Sequence, residues 1–154
     1  VALYNFQTSP GFWFDEGIMA QAAKNIAFNG VYGIQTAPDS FYTNNFWITT
    51  GYPLVFPVAL FLKIFGVSIW AARIAPFLYL LLFVAVSYFF IKKLCGFKCA
   101  VLASLLLVTF PPLYGNGKAV LGEIPGLFWL VRGHKIVLRS DYSRDHFFGF
   151  VFTA

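Results

Sequence analysis

The chain has 154 residues, of which 59% are apolar and only 11% charged, with 20 phenylalanines and a mean hydropathy of +0.72. A soluble domain of this length needs a larger charged fraction to cover its surface, and the apolar residues here are gathered into runs, so the composition reads as an integral membrane protein. The net charge of +5 does not indicate nucleic acid, because the bases lie between apolar runs and form no stripe interleaved with exposed aromatics.

The first predicted element is a short surface helix over 15–28. Asp15 sits at or next to its N-cap, Ile18, Met19, Ala22 and Ile26 repeat along one face, and Asn29-Gly30 supplies the stop. On this pattern Asp15 shares the apolar face and Glu16 is turned about 100° away. Residues 30–53, rich in Gly, Pro, Asn, Thr and Tyr, read as an external loop that includes Asp39. The run 54–65, LVFPVALFLKIF, is short for crossing a bilayer and carries Pro57, so it reads as an interfacial or re-entrant helix; a crossing helix starting near Phe46 is the alternative.

Residues 70–91 form the clearest span, about 33 Å long as a helix, with Arg73 in its first turn. A second span over 99–114 ends at Pro111-Pro112. The loop between them carries Lys92, Lys93 and Lys98 and is placed in the cytoplasm by the positive-inside rule, which puts Asp15, Glu16, Asp39, Lys118 and Glu123 on the external side. After a tight turn at 115–117 comes a helix near 119–138, with Glu123 and Pro125 at its start and Arg132, His134 and Lys135 interrupting its apolar run. A connector at 139–145 precedes the start of another helix at 146. The chain begins without Met and stops inside the apolar run HFFGFVFTA, so it is expected to be a fragment, inactive by itself.

These elements give an all-α integral membrane fold, a multi-span helical bundle. Residues 1–66 form a first external loop with juxtamembrane helices at 15–28 and 54–65, and 67–154 supply transmembrane helices. Cys95 and Cys99 flank the lysine loop with no ligand partners in His134 or His146 at metal-binding spacing. Phosphate-loop, zinc-protease and Gly-x-Ser-x-Gly patterns are absent. By itself the pair Asp15-Glu16 is a helix-capping feature, and so is Glu123, while Arg73 reads as an interface anchor and Lys118 as a turn residue.

The order of features carries more than any one of them. WFDEG leads a surface helix, followed by a loop, TGYPLVFPVALFLKIFGVS, SIWAARIAPFLYLLL, a Lys-Lys loop and PPLYGNGKAVLGEIPGLF. This order resembles the polyprenyl-phosphate-sugar-dependent glycosyltransferases of the GT-C superfamily, in the protein O-mannosyltransferase and aminoarabinose-transferase-like branch, over about residues 12–130. The resemblance implies a multi-pass enzyme of the cell membrane or endoplasmic reticulum with its active site on the external or luminal side. Its donor would be a sugar on a polyprenyl or dolichyl phosphate, and its acceptor a protein, lipid or glycan. It implies an essential acid in the first external loop, matched by Asp15 with Glu16 beside it as catalytic residues. A base followed by an acid and Pro is matched by Lys118, Glu123 and Pro125. Tyr52-Pro53-Leu54 stands where the family often has His-Pro-Pro or Lys-Pro-Pro, so Tyr52 receives no role.

Sugar transfer needs a carboxylate to take the acceptor's proton, here Asp15, and positive charge at the departing phosphate, for which Arg73 and Lys118 are the candidates. A divalent metal could supply the same charge; no other cofactor is implied. Glu123 and Glu16 are placed to orient the acceptor or a basic partner. Two other classes compete: a transporter or flippase fragment whose Arg73 and acids line a pathway, and a noncatalytic membrane subunit. Residues 77–86 carry no charge, which counts against a pathway.

Overall fold

The computed structural model describes residues 5–43, 48 and 50–137. The expected helix start at 146 and the connector 139–145 lie outside the described residues. The architecture is mostly helical: α1 (Phe14–Asn29), a β-hairpin of β1 (Ile34–Ala37) and β2 (Ser40–Tyr42), then α2 (Tyr52–Phe65), α3 (Ile69–Thr109), α4 (Pro111–Asn116) and α5 (Glu123–Val137). The two strands correct the purely helical expectation. They pair antiparallel, Ile34 with Tyr42 and Gln35 with Phe41, across a turn at Pro38-Asp39. Asp39 has φ 58°, a left-handed conformation that Asp tolerates better than most residues.

The first helix begins after Trp13, which acts as N-cap without a side-chain hydrogen bond, so Asp15 is the second helical residue and not the cap. The helix stops at Gly30, whose φ of 68° lets its amide bond back to Ile26 O at 3.2 Å. Buried Asn25 then donates to Gly33 O at 2.7 Å and holds the exit loop against α1.

Helix α2 starts with Pro53 in its first turn, where a missing amide costs nothing. Pro57 lies one turn further in and cannot donate to the carbonyl of Pro53. The hydroxyl of Tyr79 from α3 donates to that carbonyl instead, at 2.6 Å. A proline that would weaken an isolated helix thereby becomes the attachment point of the next one. At about 1.5 Å per residue α2 is near 21 Å long, short of the roughly 30 Å hydrocarbon core. Leu54, Val55, Val58, Ala59 and Leu62 are buried, whereas Phe56, Leu60 and Ile64 form an exposed apolar stripe.

Among the described residues α3 is the one helix long and apolar enough to cross a membrane. It opens on Ser68, whose Oγ accepts from the Ala71 amide at 3.1 Å. Gly96, with φ 86° and ψ 179°, interrupts it. Leu80 and Phe83 before that glycine share a cluster with Leu107 and Leu113 after it, so the two arms fold back on each other as a hairpin. The expected loop at 92–98 therefore shrinks to one residue, because helix runs on through Lys92 and Lys93. The second arm ends at Phe110, held extended (φ −74°, ψ 109°) since the residue before a proline is disfavoured in the helical region. Helix α4 then begins at Pro111, which breaks the continuous span expected to 114.

Two cores result. One joins α1, α2 and the start of α3 around Met19, Ala22, Val55, Val58, Ala72 and Val120; the other joins the α3 hairpin to Ile124 and Phe128 of α5. Outside the second core, Leu78, Leu81, Phe89, Leu102, Leu105 and Leu130 are exposed, the surface expected of helices solvated by lipid.

The turn at Gly96 occupies a backbone region nearly exclusive to glycine. Gly96→Ala is expected to lower stability by about 1–3 kcal/mol in thermal unfolding of the full-length protein in detergent. An unchanged unfolding midpoint would contradict this hairpin geometry.

Candidate active site

Arg73 lies in the second turn of α3 and is completely buried, as is Glu16 in the first turn of α1. Nε donates to Glu16 Oε1 and Nη2 to Glu16 Oε2, both at 2.7 Å, a two-point ion pair. Nη1 donates to the carbonyls of Phe6 (2.9 Å) and Gln7 (3.1 Å), and Nη2 also to that of Pro10 (2.9 Å). A guanidinium has five N–H groups, and these contacts use them all. Glu16 Oε1 accepts a further bond from the Val120 amide at 3.2 Å. One ion pair thus binds together the N-terminal segment, α1, α3 and the connector into α5.

The apolar face expected for α1 is buried at Ile18, Met19 and Ala22, but the two acids exchange sides. Glu16, Met19 and Ala23 turn inward, and Asp15 is exposed. The apolar repeat had placed Asp15 inside because a repeat counts only apolar side chains. Burying Glu16 is tolerable because a cation and an amide satisfy it there, and that partner lies 57 residues away. Arg73 was expected as a cation for a substrate phosphate; its donors are instead engaged within the protein.

Lys118 is also buried, with Nζ 5.8 Å from the centre of the Phe6 ring. Burial, and then the charge of Arg73, lower its pKa below the usual lysine value. The connector 118–122 is pinned by the Val120 bond, so α5 begins at Glu123 rather than near 119. Arg132 is exposed within α5, and the helix continues past it to Val137.

Glu123 is exposed and lines a different feature, an open cavity of about 470 Å³ between the starts of α2 and α5. Thr50, Gly51, Pro53, Gly122, Pro125 and Trp129 are among the other residues that line it. The structure therefore brings Glu16, Arg73 and Lys118 into one buried group, with Glu123 on a separate cavity and Asp15 on the surface of α1. Sequence reasoning missed the carbonyls of Phe6, Gln7 and Pro10, since backbone acceptors leave no residue signature. It also missed Trp129, which the apolar run of α5 conceals. Among the described residues no three His, Cys, Asp or Glu side chains gather into a metal-binding group, and Glu16 is committed to Arg73.

The chain is mostly helical, with a long apolar hairpin and buried charged groups clustered near the base of its arms. The family model for dolichyl-phosphate-mannose-protein mannosyltransferase matches residues 51–131, from the N-cap of α2 into α5, and the chain belongs to that family. This is a family of integral membrane glycosyltransferases that use lipid-linked sugar donors. Arg73, Lys118 and Glu123 lie inside the matched region, and Asp15 and Glu16 ahead of it. No curated protein and no solved structure matches the chain.

Removing one partner of a buried ion pair strands the other. Arg73→Met should destabilise the full-length protein in detergent by about 3–5 kcal/mol, whereas the double variant Glu16→Met/Arg73→Met should lose clearly less than the two single losses added. Simple additivity in thermal unfolding would show that the two side chains are not coupled.

Proposed function

We propose that this chain is the part of a membrane glycosyltransferase that carries its catalytic base, moving a sugar from a polyprenyl or dolichyl phosphate to a protein, lipid or glycan acceptor on the external or luminal face. The observation that carries the reading is the division of labour in the acid pair. Glu16 is buried and neutralised by Arg73, while Asp15 faces solvent with no side-chain partner among the described residues.

In this reading Asp15 takes the proton from the acceptor hydroxyl or amine as the acceptor atom attacks the anomeric carbon. The bond from that carbon to the phosphate oxygen breaks, and the electron pair leaves with the lipid phosphate. That phosphate is a stable anion and needs no proton. Lys118 is the cation proposed to stabilise it. Glu123, on the open cavity, orients the acceptor. Arg73 and Glu16 act as positioning residues that hold α1 and the 118–122 connector. Against a transporter stands the pairing of Arg73 with Glu16 inside the core, which leaves neither to line a pathway.

The same reading makes both arms of α3 part of a multi-span bundle with the Gly96 tip in the cytoplasm and Asp15, Asp39, Lys118 and Glu123 outside. Lys92, Lys93 and Lys98 around the tip support it. In a full-length background free of other cysteines, Asp39→Cys should be labelled by an impermeant maleimide from outside, and Leu94→Cys only after permeabilisation. The opposite pattern overturns the orientation.

The test of the base is Asp15→Asn in the full-length enzyme, assayed by transfer from a labelled polyprenyl-phosphate sugar. Transfer should fall by about a hundredfold or more at near-normal expression and thermal stability. Glu16→Gln should instead lower stability, since it breaks the pair with Arg73. Near-normal transfer by Asp15→Asn removes Asp15 from the chemistry.

A further inference from the structure

The tip of the α3 hairpin has a chemistry that sugar transfer does not use. Residues 92–99 are eight consecutive exposed positions, KKLCGFKC, in a molecule whose neighbouring helical surfaces are apolar. Three of them are lysines, and between these stand Leu94 and Phe97, each more than half exposed. Lys92 Nζ lies 5.8 Å from the Tyr88 ring and 6.0 Å from the Phe97 ring, so one aromatic from each arm holds its charge at the turn.

No carboxylate occurs in the sequence between Asp39 and Glu123. Asp15, Glu16 and Glu123 belong to elements gathered around Arg73 and Val120, at the other end of the hairpin from Gly96. Asp141 and Asp145, beyond the described residues, each have an arginine close in sequence, Arg139 and Arg144. The tip is thus strongly positive, flanked by apolar side chains, and continuous with the lipid-facing surface of α3.

We propose that this tip is a binding site for the phosphate head groups of anionic phospholipid in the leaflet it meets. Leu94 and Phe97 would enter the boundary between head groups and acyl chains, and the lysine stems would lie along it while their ammonium groups pair with lipid phosphates carrying net negative charge. A purely topological signal would leave the lysines in water with no choice of lipid. The proposal rests on the reading that both arms of α3 lie in the bilayer, and the experiment separates the two claims.

The full-length protein, with Cys95 as its only cysteine and a bimane fluorophore on it, is reconstituted into phosphatidylcholine vesicles. Quenching by phosphatidylcholine doxyl-labelled near the head group shows that the tip sits at the bilayer surface; absence of quenching overturns the hairpin reading and the proposal with it. At low salt, phosphatidylglycerol carrying the same label should quench more efficiently than phosphatidylcholine, by roughly threefold. The excess should vanish in Lys92→Gln/Lys93→Gln/Lys98→Gln and at high salt, with quenching by phosphatidylcholine retained. Equal quenching by the two lipids in the unsubstituted protein, or an excess that survives the triple substitution, overturns the lipid site while leaving the hairpin reading intact.

Discussion

The buried pair of Glu16 and Arg73 is the constraint on which the arrangement of the other elements depends. Taking two charges out of water is costly, and their attraction repays that cost only when the geometry is good and the remaining polar atoms are satisfied. Here both conditions hold: two contacts at 2.7 Å, three backbone carbonyls on the other guanidinium hydrogens, and the Val120 amide on the carboxylate. Such a network specifies position more than it adds stability. It ties the N-terminal segment, α1 and the connector into α5 to α3. The pair accordingly sets where Asp15 and Lys118 lie.

Prolines and glycines do the remaining punctuation, and each acts through a missing group. Pro57 leaves the Pro53 carbonyl without its helical donor, and Tyr79 of α3 fills the gap, which ties α2 to α3 at a fixed height. Pro111 forces Phe110 out of helix and separates α4 from the second arm of α3. Gly96 accepts a conformation other residues avoid, so the chain reverses within one position and the lysines stay clustered around the turn. Local covalent facts of this kind build the hairpin whose one end carries the buried charges and whose other end carries the exposed lysines.

Two adjacent acids can have unrelated tasks because a helix turns about 100° per residue. Glu16 points into the core and pairs with Arg73; Asp15 points out and is exposed. In the proposed mechanism the buried Glu16 would hold the backbone beside Asp15, and small displacements of a reacting group are costly in rate. Beside Glu123, Gly122 lets the connector into α5 lie against Thr50, where a Cβ would collide with the threonine side chain.

The membrane character, apolar spans on either side of the lysine cluster, the short α2 and the family were all legible in the sequence, because hydropathy and the order of motifs are properties of composition and spacing along the chain. The acidic pair, Arg73, Lys118 and Glu123 could be singled out from the sequence as candidates. Their partnerships could not. Helical periodicity sorted residues by apolarity and so placed Asp15 on the inner face and Glu16 off it; the fold did the opposite, because a carboxylate can be buried where a distant arginine meets it. The loop at 30–53 hid a β-hairpin whose pairing is local but whose residues follow no clear alternation, and the lysine loop closed to a single glycine. Contacts between residues far apart in sequence, and bonds to backbone carbonyls that bear no side-chain signature, arise only when the chain packs, and it is these that decided which charges became structure and which stayed exposed.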